Sequence, residues 1–323
     1  MVTLSEYGER KAVQELLRMF DRGYSPGLGD DCGIIPFGDQ YLLLTTDVVN
    51  ERTHFPKGTT AYDMGWYSVA VNLSDVAAMG GYPMGFIAAM TLPRTTELSF
   101  LHDLAHGMEA CTKQFGVAVY GGDTKEGDTI SIAGVAVGKV RKEHILLRKG
   151  ARPGDVLVTT GDIGRGGWAA DTLRKNGPNR EALDALLRPF PRMTEGAEFA
   201  ESEAVTSCMD SSDGISSTLH QLMEAGGTGF EVEQALLPLF AKLRTLPPSD
   251  AARIAVYNGG DYELVATVKP EALEDLKHRF TKKNLKLTVI GHAIKEKDCV
   301  LITEKGREPI PDRGWEHFRS VLI

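Results

Sequence analysis

Tyr41-Leu42-Leu43-Leu44-Thr45-Thr46-Asp47 is an apolar run that stops on an acid. Its length and its threonine-rich end read as a buried strand that delivers a carboxylate to the loop beyond it. Forward of it, residues 60–79 read as a long helix closed by Gly80-Gly81. A strand is expected over 86–92 and a helix over 97–115, stopped by Gly116. The short strand 117–120 then enters Gly121-Gly122-Asp123-Thr124, and 129–140 alternates as another strand. Backward of it, Ser5 is placed to cap a first helix with Val13, Leu16, Leu17 and Phe20 at helical spacing, ended by the glycines of 23–29.

The turn-rich basic segment Arg148-Lys149-Gly150-Ala151-Arg152-Pro153-Gly154-Asp155 sets a domain boundary, giving domains 1–147 and 148–323. The second opens with a strand over 155–160, a glycine loop and a helix. It continues with Asp210-Ser211-Ser212-Asp213-Gly214 before a helix and Gly259-Gly260-Asp261 before a strand over 262–268. Strands and helices alternate throughout, so the expected class is α/β (α+β) with two layered domains.

Composition narrows the partners. The 323 residues suit two domains, and 42% apolar with 25% charged is a globular balance. A formal charge of -8 repels nucleic acid and anionic lipid, so neither is an expected partner. No apolar run approaches the roughly 20 residues of a membrane span, and the first residues show no signal-peptide pattern. Cys32, Cys111, Cys208 and Cys299 lie far apart without a CxxC pair, as expected of free thiols in a reducing, cytoplasmic location.

Acids recur at one kind of place. Asp30, Asp31, Asp47, Asp123, Asp210 and Asp213 sit at strand ends or beside glycine, serine or threonine, and Asp75 falls late in a helix. Such neighbourhoods nearly lack lysine, and clustered carboxylates resist ionising unless a cation joins them. Oxygen donors without cysteine or histidine pairs select a hard ion, magnesium above all, and magnesium points to phosphoryl transfer. Turn chemistry is the competing explanation for any one Asp-Gly or Asp-Asp. Gly134-Val135-Ala136-Val137-Gly138-Lys139-Val140 falls one residue short of a P-loop and reads as strand. Gly164-Arg165-Gly166-Gly167-Trp168-Ala169 fits only a loose dinucleotide pattern.

Taken in order, Gly29-Asp30-Asp31-Cys32, Thr45-Thr46-Asp47, His54-Phe55, Asn72-Leu73-Ser74-Asp75-Val76-Ala77-Ala78-Met79-Gly80, Gly121-Gly122-Asp123-Thr124, Asp210-Ser211-Ser212-Asp213-Gly214 and Gly314-Trp315-Glu316-His317-Phe318 resemble the thiamine-monophosphate kinases. These belong with aminoimidazole ribonucleotide synthetase and selenophosphate synthetase. The resemblance implies an ATP-dependent kinase making thiamine diphosphate from thiamine monophosphate with several magnesium ions. It also implies a homodimer whose N-terminal sheets pair into a barrel, with ATP in a cleft shared between subunits and domains.

By the same resemblance Asp30, Thr45, Thr46, Asp47, Asp75, Asp123, Asp210 and Asp213 hold metal, with Asp47, Asp123 and Asp213 catalytic through it. Gly121, Gly122, Arg148 and Ser212 contact ATP; His54, Gly260, Asp261 and Trp315 line the acceptor site. One departure stands out: Asn258-Gly259-Gly260-Asp261-Tyr262-Glu263-Leu264 carries Gly260 where the family commonly has a substrate-contacting glutamate, leaving Asp261 or Glu263 as substitutes. The alternatives are another ATP-using relative such as aminoimidazole ribonucleotide synthetase, or a non-catalytic nucleotide-binding subunit.

Overall fold

The computed structural model describes residues 3–20 and 28–318. In chain order the first half carries α1 (Leu4–Tyr7), α2 (Glu9–Phe20), β1 (Gly33–Phe37), β2 (Gln40–Asn50), α3 (Ala61–Ala78), β3 (Tyr82–Leu92), α4 (Leu98–Gln114), β4 (Val119–Glu126) and β5 (Ser131–Arg141). The second half carries β6 (Val156–Thr160), α5 (Arg165–Asn176), α6 (Arg180–Leu187), α7 (Met193–Ser202), β7 (Val205–Asp210), α8 (Ile215–Gly226) and β8 (Gly229–Glu233). It ends with α9 (Pro248–Tyr257), β9 (Leu264–Val268), α10 (Leu273–Lys282), β10 (Leu287–Ile294), β11 (Cys299–Thr303) and β12 (Gly306–Pro309).

The first sheet runs β1-β2-β5-β3-β4, antiparallel except for the parallel β3–β4 pair that α4 connects. The second runs β12-β11-β8-β10-β6-β9-β7, again mixed, with β8 and β11 parallel. Helix α3 is the hinge pin of the architecture. Of its 18 residues 15 are buried, because its sequence is apolar around most of its circumference rather than along one stripe. Thr60 caps it, its hydroxyl accepting from the Asp63 amide while the Asp63 carboxylate accepts from the Thr60 amide. The core around α3 gathers Leu43, Phe86 and Ile132 of the first sheet together with Leu183, Leu187 and Tyr262 from the second half. Its polar residues then reach across: Tyr67 Oη lies 2.7 Å from Tyr262 Oη, and Ser74 donates to Asp210 at 2.6 Å.

Several expectations shift in detail. Thr3, not Ser5, occupies the first N-cap, and Gly8 at φ 88° splits the expected helix into α1 and α2. Most of the expected glycine break at 23–29, positions 23–27, lies outside the described residues. Strand β4 does not stop at Tyr120 but continues through the glycines, pairing with β3 as far as Glu126. The strand expected from 262 begins at Leu264, because Tyr262 sits at φ 54°.

Candidate active site

Alternation along β2 turns Leu43, Thr45, Asp47 and Val49 inward toward α3 and Leu44, Thr46 and Val48 outward. On that inner side three carboxylates from distant segments converge. Asp31 comes from the turn before β1, Asp75 from the last turn of α3 and Asp210 from the end of β7; an oxygen of each lies within 4.8 Å of the other two. Thr45 donates its hydroxyl to Asp75. Arg148 holds Asp31 by a guanidinium contact of 2.6 Å and gives its second arm to Gln221 at 2.9 Å.

Electrostatics make this cluster unstable as bare anions. Burial first, then Asp47, Asp210 and Asp31, push the Asp75 carboxyl well up. Burial and Asp31 raise Asp210 to about 8, and burial and Asp31 raise Asp47 to about 6. Asp213 is lifted to about 7, chiefly by burial. Asp31 Oδ2 is buried and has no hydrogen-bond partner among the described residues, a costly state for a carboxylate oxygen. A hard divalent cation relieves both defects at once, so these oxygen donors fit magnesium.

The other expected residues divide into groups. Asp30 lies beside the cluster but accepts the Arg148 amide at 2.8 Å, while its neighbour Asp31 supplies the converging oxygen. The doublet was visible in sequence; which member faces inward was not. Thr46 turns to the opposite face and donates to the Gly134 carbonyl at 2.8 Å. Ser212 offers its carbonyl to the Gly260 amide at 2.7 Å, and the neighbouring Ser211 hydroxyl is buried without a partner among the described residues.

Asp123 stands apart. It lies on β4, all of whose residues are exposed, and register aligns it with Ala89, Ala133 and Val48 on the outward side. Its carboxylate lies 3.2 Å from Lys125. Gly121 and Gly122 share this edge, and a Cβ at Gly122 would fall 1.9 Å from the Ala88 carbonyl oxygen, so close strand packing demands glycine there.

On the other flank, His54 meets Phe55, Tyr67 and His317 with ring centroids at 6.3, 6.3 and 5.4 Å. Burial and then His317 drive its pKa down to about 4, so it is neutral near pH 7. Trp315 lies edge-on to His317 and donates its amide to the Asp213 carbonyl at 3.0 Å. A cluster of aromatic and histidine rings thus borders the acids.

The segment that departs from the family pattern is spent mostly on structure. Gly260 has φ 94°, a conformation a glutamate would occupy only under strain. Asp261 is 7% exposed, and its two oxygens accept the Gly164 and Gly166 amides at 2.6 and 2.9 Å. It therefore anchors the start of α5 rather than offering a free carboxylate, and it occupies the amides a dinucleotide phosphate would need. Glu263 is buried against Arg192 and Thr160.

Fold and site together define a class. The family model described as AIR synthase related protein, N-terminal domain, matches residues 29–140, and that of the C-terminal domain matches 152–304. The thiamine-monophosphate kinase of Pyrococcus horikoshii is 32% identical over 309 residues, 95% of this chain and 96% of that protein. A solved structure of AaThiL complexed with AMPPCP and TMP has TM-score 0.85 at 26% identity, covering 98% of this chain and 99% of its own. The thiamine-monophosphate kinase from Stenotrophomonas maltophilia K279a has TM-score 0.77 at 30% identity, covering 90% and 95%. The chain belongs to the thiamine-monophosphate kinase family.

Proposed function

We propose that this enzyme transfers the terminal phosphoryl group of ATP directly to the phosphate of thiamine monophosphate, releasing ADP and thiamine diphosphate. The observation that carries the reading is the converging trio Asp31, Asp75 and Asp210, with one buried oxygen left unpartnered, in a chain of this family. We assign magnesium to these three together with Asp30, Asp47, Asp213 and the Thr45 oxygen, and leave out Thr46, whose hydroxyl lies on the other face of the sheet. Bound there, magnesium supplies charge screening between the donor and acceptor phosphates and polarises their oxygens. The chain itself holds the carboxylates in place: Ser74, Thr45 and Arg148 each pin one of them. The acceptor phosphate is already ionised near neutral pH, so a strong protein base is unnecessary. His54 and Trp315 are assigned to the thiamine rings, and Gly121, Gly122, Arg148 and Ser212 to ATP.

The same reading divides the chain at 147/148 and makes it a homodimer with paired N-terminal sheets. Its support is the outward face of the first sheet, where Phe37, Leu44, Val48 and Ile87 are exposed. It also gives Asp123 a role in a cleft shared with a second subunit, and the exposure of this acid at the sheet edge supports that reading. Four buried free thiols support a reducing, cytoplasmic location. The test is ADP release with thiamine monophosphate, thiamine or formylglycinamidine ribonucleotide offered in parallel. Only the first is expected to stimulate release strongly; stimulation by the ribonucleotide alone would transfer the assignment to the synthetase branch.

A further inference from the structure

The two ends of the described chain meet over the loop 210–214 that precedes α8. Helix α2 brings Glu9 and Arg10 against the segment 311–317. Arg10 forms an ion pair with Asp312 through one terminal nitrogen and donates to Ser217 Oγ, in the first turn of α8, through the other. Its backbone amide donates to Glu316 at 3.3 Å, and Glu9 accepts the His317 amide at 2.8 Å. Side chain and backbone of two adjacent residues therefore grip the segment on both sides of Trp315. The segment is gripped from below as well: the Trp315 amide binds the Asp213 carbonyl at 3.0 Å, and Ser216 Oγ binds the Pro311 carbonyl at 2.6 Å.

Two observations make this more than a terminal tether. The residues held are Trp315 and His317, and His317 faces His54 across 5.4 Å, so the grip sets one side of the ring cluster. The fit is also tight: a Cβ at Gly314 would lie 2.4 Å from Ser217 Cβ, 2.6 Å from the Asp213 carbonyl and 3.3 Å from the Arg10 guanidinium. Gly314, next to Trp315, is thus packed closely against Ser217, the Asp213 carbonyl and the Arg10 guanidinium. A guanidinium is suited to the task because its fork serves Asp312 and Ser217 together, which a lysine ammonium on a flexible stem does less well.

We propose that Arg10 is a positioning residue for the acceptor pocket: by clasping the segment 311–317 onto α8 it holds Trp315 and His317 in the geometry that receives the thiamine rings. This rests on the assignment of thiamine monophosphate as acceptor. It places the main effect of Arg10 on acceptor binding: the Asp31, Asp75 and Asp210 trio is held by Arg148, Thr45 and Ser74 instead, and Arg10 acts on Asp213 as a nearby charge, an influence that Arg10→Lys retains.

The experiment compares steady-state ADP release by wild type, Arg10→Met, Arg10→Lys and Gly314→Ala. Arg10→Met is expected to raise KM for thiamine monophosphate about tenfold, the scale of losing hydrogen bonds to a charged group. KM for ATP and kcat should stay within about twofold. Arg10→Lys should recover part of the loss, and Gly314→Ala, which leaves Arg10 in place but wedges the segment away, should reproduce the KM-selective defect. Unchanged kinetics in Arg10→Met, a fall in kcat without a change in acceptor KM, or failure of both Arg10→Met and Gly314→Ala to fold overturns the proposal. Wild type without acceptor-dependent ADP release overturns the acceptor assignment itself, whereas an active wild type beside an unaffected Arg10→Met removes only the role of Arg10.

Discussion

Asp210 shows how one residue can serve function at the expense of stability. It is 2% exposed, faces Asp31 and Asp47, and receives only the Ser74 hydroxyl and the more distant charge of Arg148 in compensation. Asp210→Asn keeps an oxygen for Ser74 and removes a buried like charge. The metal-free variant is expected to be more stable by on the order of 1–2 kcal/mol in chemical denaturation, while magnesium-dependent ADP release is lost. A less stable variant with normal turnover contradicts the assignment.

The same acids set the pH behaviour. Asp47, Asp213 and Asp210 move from an ordinary 3.8 to about 6, 7 and 8 on folding. Across that window the folded protein retains protons that the unfolded chain has released, so the metal-free protein loses stability as pH rises. His54 acts oppositely between about 4 and its ordinary 6.5, which leaves the decline clearest above that range. Magnesium displaces those protons, so its addition should raise the melting temperature more at about pH 8 than at about pH 5. Equal shifts at the two pH values would refute the linkage. Residue identities were legible in the sequence because an Asp-Asp doublet and a strand ending in Thr-Thr-Asp are local patterns. Which of Asp30 and Asp31 points inward was not, because that depends on how the turn before β1 meets Arg148, more than a hundred residues away.

At the scale of elements, α3 joins the two halves through its first turn as well as its last. Asp63 is wholly buried and accepts from Arg180 at 2.7 Å and Arg188 at 3.0 Å, tying α6 to α3. Burial pushes this carboxyl up, but the Arg180 and Thr60 hydrogen bonds overcome it and hold the group well below the usual range. Asp63→Asn weakens the cap and leaves two arginines without their shared anion. A loss of about 2 kcal/mol is expected in thermal or urea unfolding, tempered by the partial exposure of both arginines. A variant as stable as wild type would show that the ion pairs contribute nothing net. The helix itself was readable from its cap, its length and its closing glycines. Its burial on every side was not, since an apolar helix carries no mark of which neighbours surround it.

For the whole molecule, the outward face of the first sheet is the surface on which the proposed dimer rests. Leu44, Val48 and Ile87 are 37%, 58% and 42% exposed, and Asp123 lies on the same side at the edge. In the proposed dimer Ile87→Arg would bury a charge between the paired sheets, and the variant is expected to run as a monomer in light scattering where the wild type runs as a dimer. ADP release should fall at least about tenfold, because Asp123 would lose the cleft it is proposed to complete. A fully active monomer would end that proposal.

By itself the sequence determined the alternation of strands and helices, the family and the types of residue at the site, because propensity, capping and short motifs act over a few neighbouring positions. Only the tertiary structure decided that Asp31 joins Asp75 and Asp210, that Thr46 and Asp123 face outward, and that Asp261 is consumed in anchoring α5. Those outcomes depend on pleat direction, sheet register and packing between segments as far apart in sequence as Asp31 and Asp210, and no local pattern encodes them.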